Sequence, residues 1–245
     1  SYFFNGSTME NQDLDLPLLR DIKGKLIFDN NSISLNKGRA ILSDQPLSIA
    51  IKNKDKATVM DFSGTFDSKF ITTRLGDEWS NNIQGQTEWK GKLTLSEKES
   101  DLILSSNLSG LSINLVHDLN KEKDELISFE LKKRTSTTSI DYIDMTYGEI
   151  ITARFIRESD NKIKRGFIGV NTIPSMPENG IFINASLDNF DTKSIKFLLD
   201  HHSQGENTNK NIQQKPLIEK VILNVDELMI KGNKLTKASI NYAPT

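Results

Sequence analysis

Apolar and polar residues alternate through most of this chain, and clusters of turn-forming residues cut the alternation into short runs. A period of two is the mark of a strand with one face turned away from water. In "GQTEWKGKLTL", residues 85–95, Trp89, Leu93 and Leu95 fall on one face, while Glu88, Lys90, Lys92 and Thr94 fall on the other. Upstream, "GKLIFD" (24–29) is followed by Asn30-Asn31 and "SISL" (32–35). Asn36-Lys37-Gly38 is read as a turn into "RAILS", and Gln45-Pro46 as a turn into "LSIAIKN", so four strands are expected in quick succession before "KATVMDFSG".

The same habit returns in "DLILSSNL" (101–108), "LISFELKK" (126–133), "TSIDYIDMTYG" (138–148), "EIITARFIRE" (149–158) and "KRGFIGVN" (164–171). "GIFINASL" (180–187), "IEKVILNVDELMIKG" (218–232) and "KLTKASINYA" (234–243) complete the series. Strand follows strand without the helices of βαβ units, which predicts a mainly β chain built as an antiparallel meander. Two short helices are expected: "SKFITTRL", capped by Asp67 or Ser68, and "TKSIKFLLD", capped by Asp191. Residues 201–215 are polar and aperiodic and are read as an exposed flexible loop. A chain of 245 residues without a clear break is expected to form a single module, 1–245. The missing initiating Met marks it as an expected interior segment of a longer protein.

Reactive chemistry is hard to find. The absence of cysteine excludes disulfides, Cys-ligated zinc and thiol catalysis, and it fits an oxidising compartment such as a periplasm. His117, His201 and His202 stand in no metal-ligand spacing, and no nucleophile elbow or phosphate-binding glycine loop is present. Asp141 and Asp144 are three apart on an expected strand and so face opposite ways, a poor start for a shared acid–base site. With 31 Lys and Arg against 33 Asp and Glu, net charge -2, no global field would draw in nucleic acid. Lys132-Lys133-Arg134 is read as a solvated strand end. No catalytic, metal or cofactor site is legible in these residues and the chain is read as a non-enzyme, although its carboxylates are plentiful enough that a glycosidase pair stays open by count.

What remains is the supply of one-sided apolar strands. Leu26 and Phe28, Ile33 and Leu35, Leu47, Ile49 and Ile51, Leu93 and Leu95, and Leu102 and Leu104 fall on alternate positions. So do Ile127, Phe129 and Leu131, Ile181 and Ile183, and Val221, Leu223 and Val225. Periodicity alone favours a closed sandwich core, which would make the chain a structural spacer or scaffold; an open sheet, by contrast, would expose the same residues as a hydrophobic trough. A trough would hold an acyl chain: at ~0.8 kcal/mol per methylene, a tail of about sixteen carbons held in water costs roughly 12 kcal/mol.

Three stretches carry a family resemblance. Trp89, Gly91 and Leu93 match a W-x-G-x-L strand; Leu102, Ser106, Leu108, Gly110 and Leu111 match L-x-x-x-S-x-L-x-G-L; Leu119 and Lys121 match a closing Leu-x-Lys. With "LPLLRDIKGKLIFDNNSISLNKGRAILSDQPLSIAIKN" upstream, the chain resembles the YhdP-type branch of the AsmA-like superfamily, the bacterial bridge-like lipid transport proteins. It departs from the pattern at Val116-His117-Asp118, where the family usually has a proline. The resemblance implies an antiparallel sheet curved into an elongated open trough. It also implies a periplasmic location, anchorage to the inner membrane through a segment not present here, phospholipid as cargo, and neighbouring modules of the same longer chain as partners. The alternating apolar residues would then line the groove.

Overall fold

The computed structural model describes residues 1–11, 16–29, 32–54, 56–75, 80–115, 117–158, 162–191 and 218–243. Its strands are β1 (Tyr2–Asn11), β2 (Leu16–Asp29), β3 (Ser32–Leu42), β4 (Gln45–Lys54), β5 (Ala57–Asp67), β6 (Ile83–Leu95), β7 (Ser100–Ser106) and β8 (Leu111–Ile113). They continue as β9 (Phe129–Thr135), β10 (Asp141–Tyr147), β11 (Ile151–Arg157), β12 (Ile163–Val170), β13 (Gly180–Asp191), β14 (Ile218–Ile230) and β15 (Asn233–Tyr242). All belong to one sheet, in which β1 to β15 follow sequence order except that β8 leaves the path and pairs only with β6. The sheet is open, with β1 and β15 as its edges. Fourteen strands in line at roughly 4.8 Å put those edges about 60 Å apart along the sheet.

From β1 to β12 every neighbour on the path is antiparallel, as a meander requires. The pairs β12–β13 and β13–β14 are parallel, a departure the sequence did not announce. A parallel partner forces the chain back along the whole strand, which no tight turn can do. Residues 171–179 make that return across the polar face, passing so close to Gly169 that a Cβ there would stand 2.0 Å from the Thr172 carbonyl oxygen. The connection 192–217, with the expected second helix, the expected loop and His201-His202, lies outside the described residues.

Four expected strands at the start are in fact three. Asn36-Lys37-Gly38 does not turn the chain; it is a bulge within β3, with Lys37 at φ 57° and a register shift between Leu35 and Gly38. The extra residue lets Leu35 and Gly38 face the same side although they are three apart. β1 was not legible, because its pairing with β2 slips at three places and no clean alternation survives. β9 begins at Phe129, so Ile127, expected within a strand over 126–133, lies just outside the observed one.

The first expected helix forms as α1 (Ser68–Leu75). Asp67 is its cap: the Phe70 amide donates to Asp67 Oδ1 at 2.8 Å, satisfying one of the first-turn donors. Phe66 stacks on Phe70 on one side and on Trp89 on the other, at 4.2 and 4.3 Å between centroids, and so ties the helix to the sheet. Among the described residues no helix is long and apolar enough to cross a membrane.

Candidate binding surface

Register, followed from strand to strand, sorts the inward residues into cross-strand rows. One row runs Gly38, Ile49, Phe62, Gly91, Leu104, Leu131, Met145, Ala153, Ile168, Ile183, Val221, Tyr242, with only Tyr242 carrying a polar group. The next runs Leu26, Leu35, Ile51, Met60, Leu93, Leu102, Lys133, Ile143, Phe155, Gly166, Ile181 and is apolar but for Lys133. One step further toward the same rim the residues from β4 to β11 turn polar, Asn53, Thr58, Ser100, Thr135, Asp141 and Arg157, with the candidate Leu95 the exception between Thr58 and Ser100. We call this the polar rim. All the candidate lining residues except Ile127 share this face, Phe28 and Ile33 at the polar rim and Leu47, Phe129 and Leu223 toward the other.

The opposite face carries the charge. Arg134 pairs with Asp101 at 2.7 Å, Lys132 with Glu130 at 2.7 Å, Lys164 with Glu158 at 2.6 Å, and Arg154 with Asp144. These are half-exposed pairs worth little individually, but they keep this face wet. Two depressions of about 810 and 870 Å³ lie on it and share one cross-strand row, Arg39, Ser48, Ser63, Lys90 and Ser105, in which serines lie between long cationic side chains. The reading of Lys132-Lys133-Arg134 as a solvated strand end holds for Lys132 and Arg134 only. Lys133 points the other way, into the apolar face, because neighbours on a strand alternate.

The two rims of the apolar face differ. Away from the polar rim, α1 and the excursion 107–128 fold over the sheet. Within that excursion β8 pairs with Ile83, Gln84 and Gly85 of β6, and Leu108, Leu111 and Ile127 are buried with Ile83 and Tyr147. The 3-10 turn His117–Leu119 reaches β13, where Asp118 Oδ2 accepts the Asp188 amide at 2.6 Å and Leu119 packs against the buried cluster that includes Val170, Ala185 and Leu187. Ile127 therefore belongs to this cover, not to a strand. At the polar rim Phe28 is 54% exposed, and Tyr2, paired with Leu26, and Tyr242 are also exposed.

Exposure also varies along the face. From β2 to β6 the side chains pack on one another in a buried cluster: Leu35 is 2% and Leu93 1% exposed. Glycines make room for this. A Cβ on Gly38 would stand 2.6 Å from Leu35 Cδ2, and one on Gly91 would stand 2.9 Å from Leu104 Cδ2 and 3.0 Å from Trp89 Cζ3. Past β7, Leu102, Leu104, Leu131, Ile183, Val221 and Leu223 are only half-buried.

The motif residues turn out to be the fastening of the cover. Ser106 Oγ donates to the Glu88 carbonyl at 2.6 Å and accepts the Leu108 amide at 3.0 Å. Lys121, 2% exposed, donates to the carbonyls of Leu111 and Glu122 at 2.7 and 2.9 Å. Its burial pushes the ammonium pKa down, against the opposing pull of Glu125 and Asp124. Trp89 holds α1 through Phe66.

A family model described as "YhdP protein" matches residues 2–245, nearly the whole chain. The chain belongs to the YhdP family. No curated protein and no solved structure matches it. Within this YhdP chain, the residues that carried the resemblance have structural places: none of them meets a reactive partner.

What sequence reasoning missed is a charged group on the apolar face. Asp141 sits opposite both Thr135 and Arg157, and Lys133 reaches it from β9. Asp144 is on the other face with Arg154, as the spacing of three predicts. The signal was available: a turn centred on Gly148–Ile150 is enough to set Asp141 opposite Arg157, but only once the hairpin register is assumed.

Proposed function

We propose that this YhdP chain is a segment of a periplasmic lipid conduit, holding phospholipid acyl chains against its apolar face as they pass between inner and outer membrane. One observation carries the reading: a cross-strand row whose inward groups from β3 to β14 are all apolar, in an open sheet with one rim left uncovered among the described residues. Such a row runs across the strands, so the path it offers follows the long dimension of the sheet. A closed-core spacer would need a second layer over that row, and the sheet is not closed.

In this reading the work is done by desolvation alone. Each methylene laid on the row is worth ~0.8 kcal/mol, and passage requires only that successive positions along the row be similar. No residue is catalytic. The inner-membrane anchor and the neighbouring modules are contributed by other parts of a longer chain.

The test is lipid retention. Purified protein analysed by native mass spectrometry and solvent extraction should carry phospholipid. Replacing Met145→Lys or Ile168→Lys in the apolar row should abolish retention, while Ser63→Lys on the polar face should leave it intact. A protein that folds yet holds no lipid in any preparation would leave only the scaffold reading.

A further inference from the structure

The ion group at the polar rim differs from the other pairs named above. Asp141 Oδ2 accepts Arg157 Nε at 2.8 Å and Arg157 Nη2 at 2.5 Å, with Lys133 Nζ at 3.4 Å; Oδ1 accepts the Thr135 hydroxyl at 2.6 Å. The side chains of Asp141, Lys133 and Arg157 are 8%, 10% and 17% exposed, whereas the polar-face pairs are about half exposed. Lys133 and Arg157 both approach the same carboxylate oxygen, Asp141 Oδ2. All three groups sit on the face that is otherwise apolar.

Burying charge is costly unless something compensates, and an apolar cluster of the same shape would hold three strands together at least as well. The position suggests the compensation. Lys133 stands in the second apolar row, two residues and about 7 Å along the strand from the apolar row, and Asp141 and Arg157 stand one step further out, about 13 Å from it. The nearer spacing matches the glycerol esters that separate a phospholipid's phosphate from its tails.

We propose that Lys133 and Arg157, held on Asp141, seat the phosphate of a lipid whose acyl chains lie along the apolar row. This rests on the conduit reading and adds to it a headgroup station. A guanidinium presents its N–H groups as a planar fork that suits a phosphate, and an ammonium adds a mobile point charge beside it. Asp141 positions both cations at the rim, so that little ordering is left for the lipid to impose. The Thr135 hydroxyl orients the carboxylate from the side of β9.

The experiment uses the whole protein with two probes of matched chains, phosphatidylglycerol and the corresponding diacylglycerol, each offered from detergent micelles and counted by native mass spectrometry. The wild-type protein should retain phosphatidylglycerol at least about tenfold over diacylglycerol. The variant Lys133→Met/Asp141→Leu/Arg157→Met, apolar throughout, should retain both equally, while Asp144→Leu/Arg154→Met on the opposite face should keep the preference. A triple variant that still discriminates, or a wild type that holds both lipids alike, overturns the headgroup station and leaves the conduit standing. A wild type that holds neither removes the conduit itself. If the triple variant does not fold, labelling of Lys133 by an amine-reactive reagent in the wild type decides: phosphatidylglycerol should protect it and diacylglycerol should not. Equal protection by inorganic phosphate, with no lipid retained, would assign the site to a free anion and overturn the proposal.

Discussion

Gly85 and Gly110 approach so closely that a Cβ on Gly85 would stand 2.2 Å from the Gly110 carbonyl oxygen. The same carbonyl accepts the Gln86 amide at 3.2 Å, and both glycines have positive φ, 98° and 85°. This contact is where the excursion 107–128 is pressed onto β6.

Gly85→Ala should therefore cost at least about 2 kcal/mol, combining a left-handed backbone with a clash against main chain that cannot swing away. The loss should be local first. Hydrogen exchange should rise across 107–128 before it rises in β9 to β12, and uniform destabilisation of the whole sheet would contradict the fastening described above.

Asp141→Asn leaves Lys133 and Arg157 buried against a neutral group, and about 3 kcal/mol of stability should be lost. Burial pushes this carboxyl up, but the hydrogen bonds from Thr135 and Arg157 and the charges of Lys133 and Arg157 outweigh it and hold the group below the ordinary carboxylate range. Because the folded pKa is the lower one, the contribution is present above the unfolded value and is lost as pH falls through the folded value. Denaturant titrations between about pH 5 and about pH 2 should show a stability loss in the wild type that is reduced in Asp141→Asn.

Tyr147 has a buried hydroxyl without a hydrogen-bond partner, and burial, with the nearby Glu125 charge, pushes its pKa up to about 12. A phenolate absorbance titration should contain one component delayed to about pH 12 that disappears in Tyr147→Phe. The folded state keeps this proton longer than the unfolded chain, so stability should fall as pH rises above about 10 toward that value. At neutral pH Tyr147→Phe should be neutral or stabilising by up to about 1 kcal/mol, since it removes an unsatisfied polar atom.

Trp89→Ala removes the ring on which Phe66 stacks and should cost about 3 to 5 kcal/mol. Phe70→Ala breaks only the outer half of the stack and should be milder, with helical circular dichroism lost from α1 while the strand signal persists. A Phe70→Ala variant as unstable as Trp89→Ala would mean that α1 is integral to the sheet and not a cover on it.

Local pattern was enough to identify most of the strands, though not β1, and to sort their two faces. Leu93 and Leu95, Ile49 and Ile51, and Ile181 and Ile183 could be assigned to a common face from alternation, because the pleat enforces it within any strand. The α1 cap at Asp67 was legible for the same reason: the bond it makes spans three residues. The bulge at Lys37 was mistaken for a turn because the same residue types, with φ above zero, serve both.

Which strands lie side by side, and in what direction, was settled only by the assembled sheet. The parallel pairings of β12, β13 and β14, the cover formed by 107–128, and the meeting of Lys133, Asp141 and Arg157 all depend on contacts between distant residues. The amino-acid order fixed an amphipathic, strand-forming chain, since side-chain direction is a local property of the backbone. It did not fix whether the greasy side would be sealed or left open, because that depends on whether the outermost strands find each other, and here β1 and β15 do not.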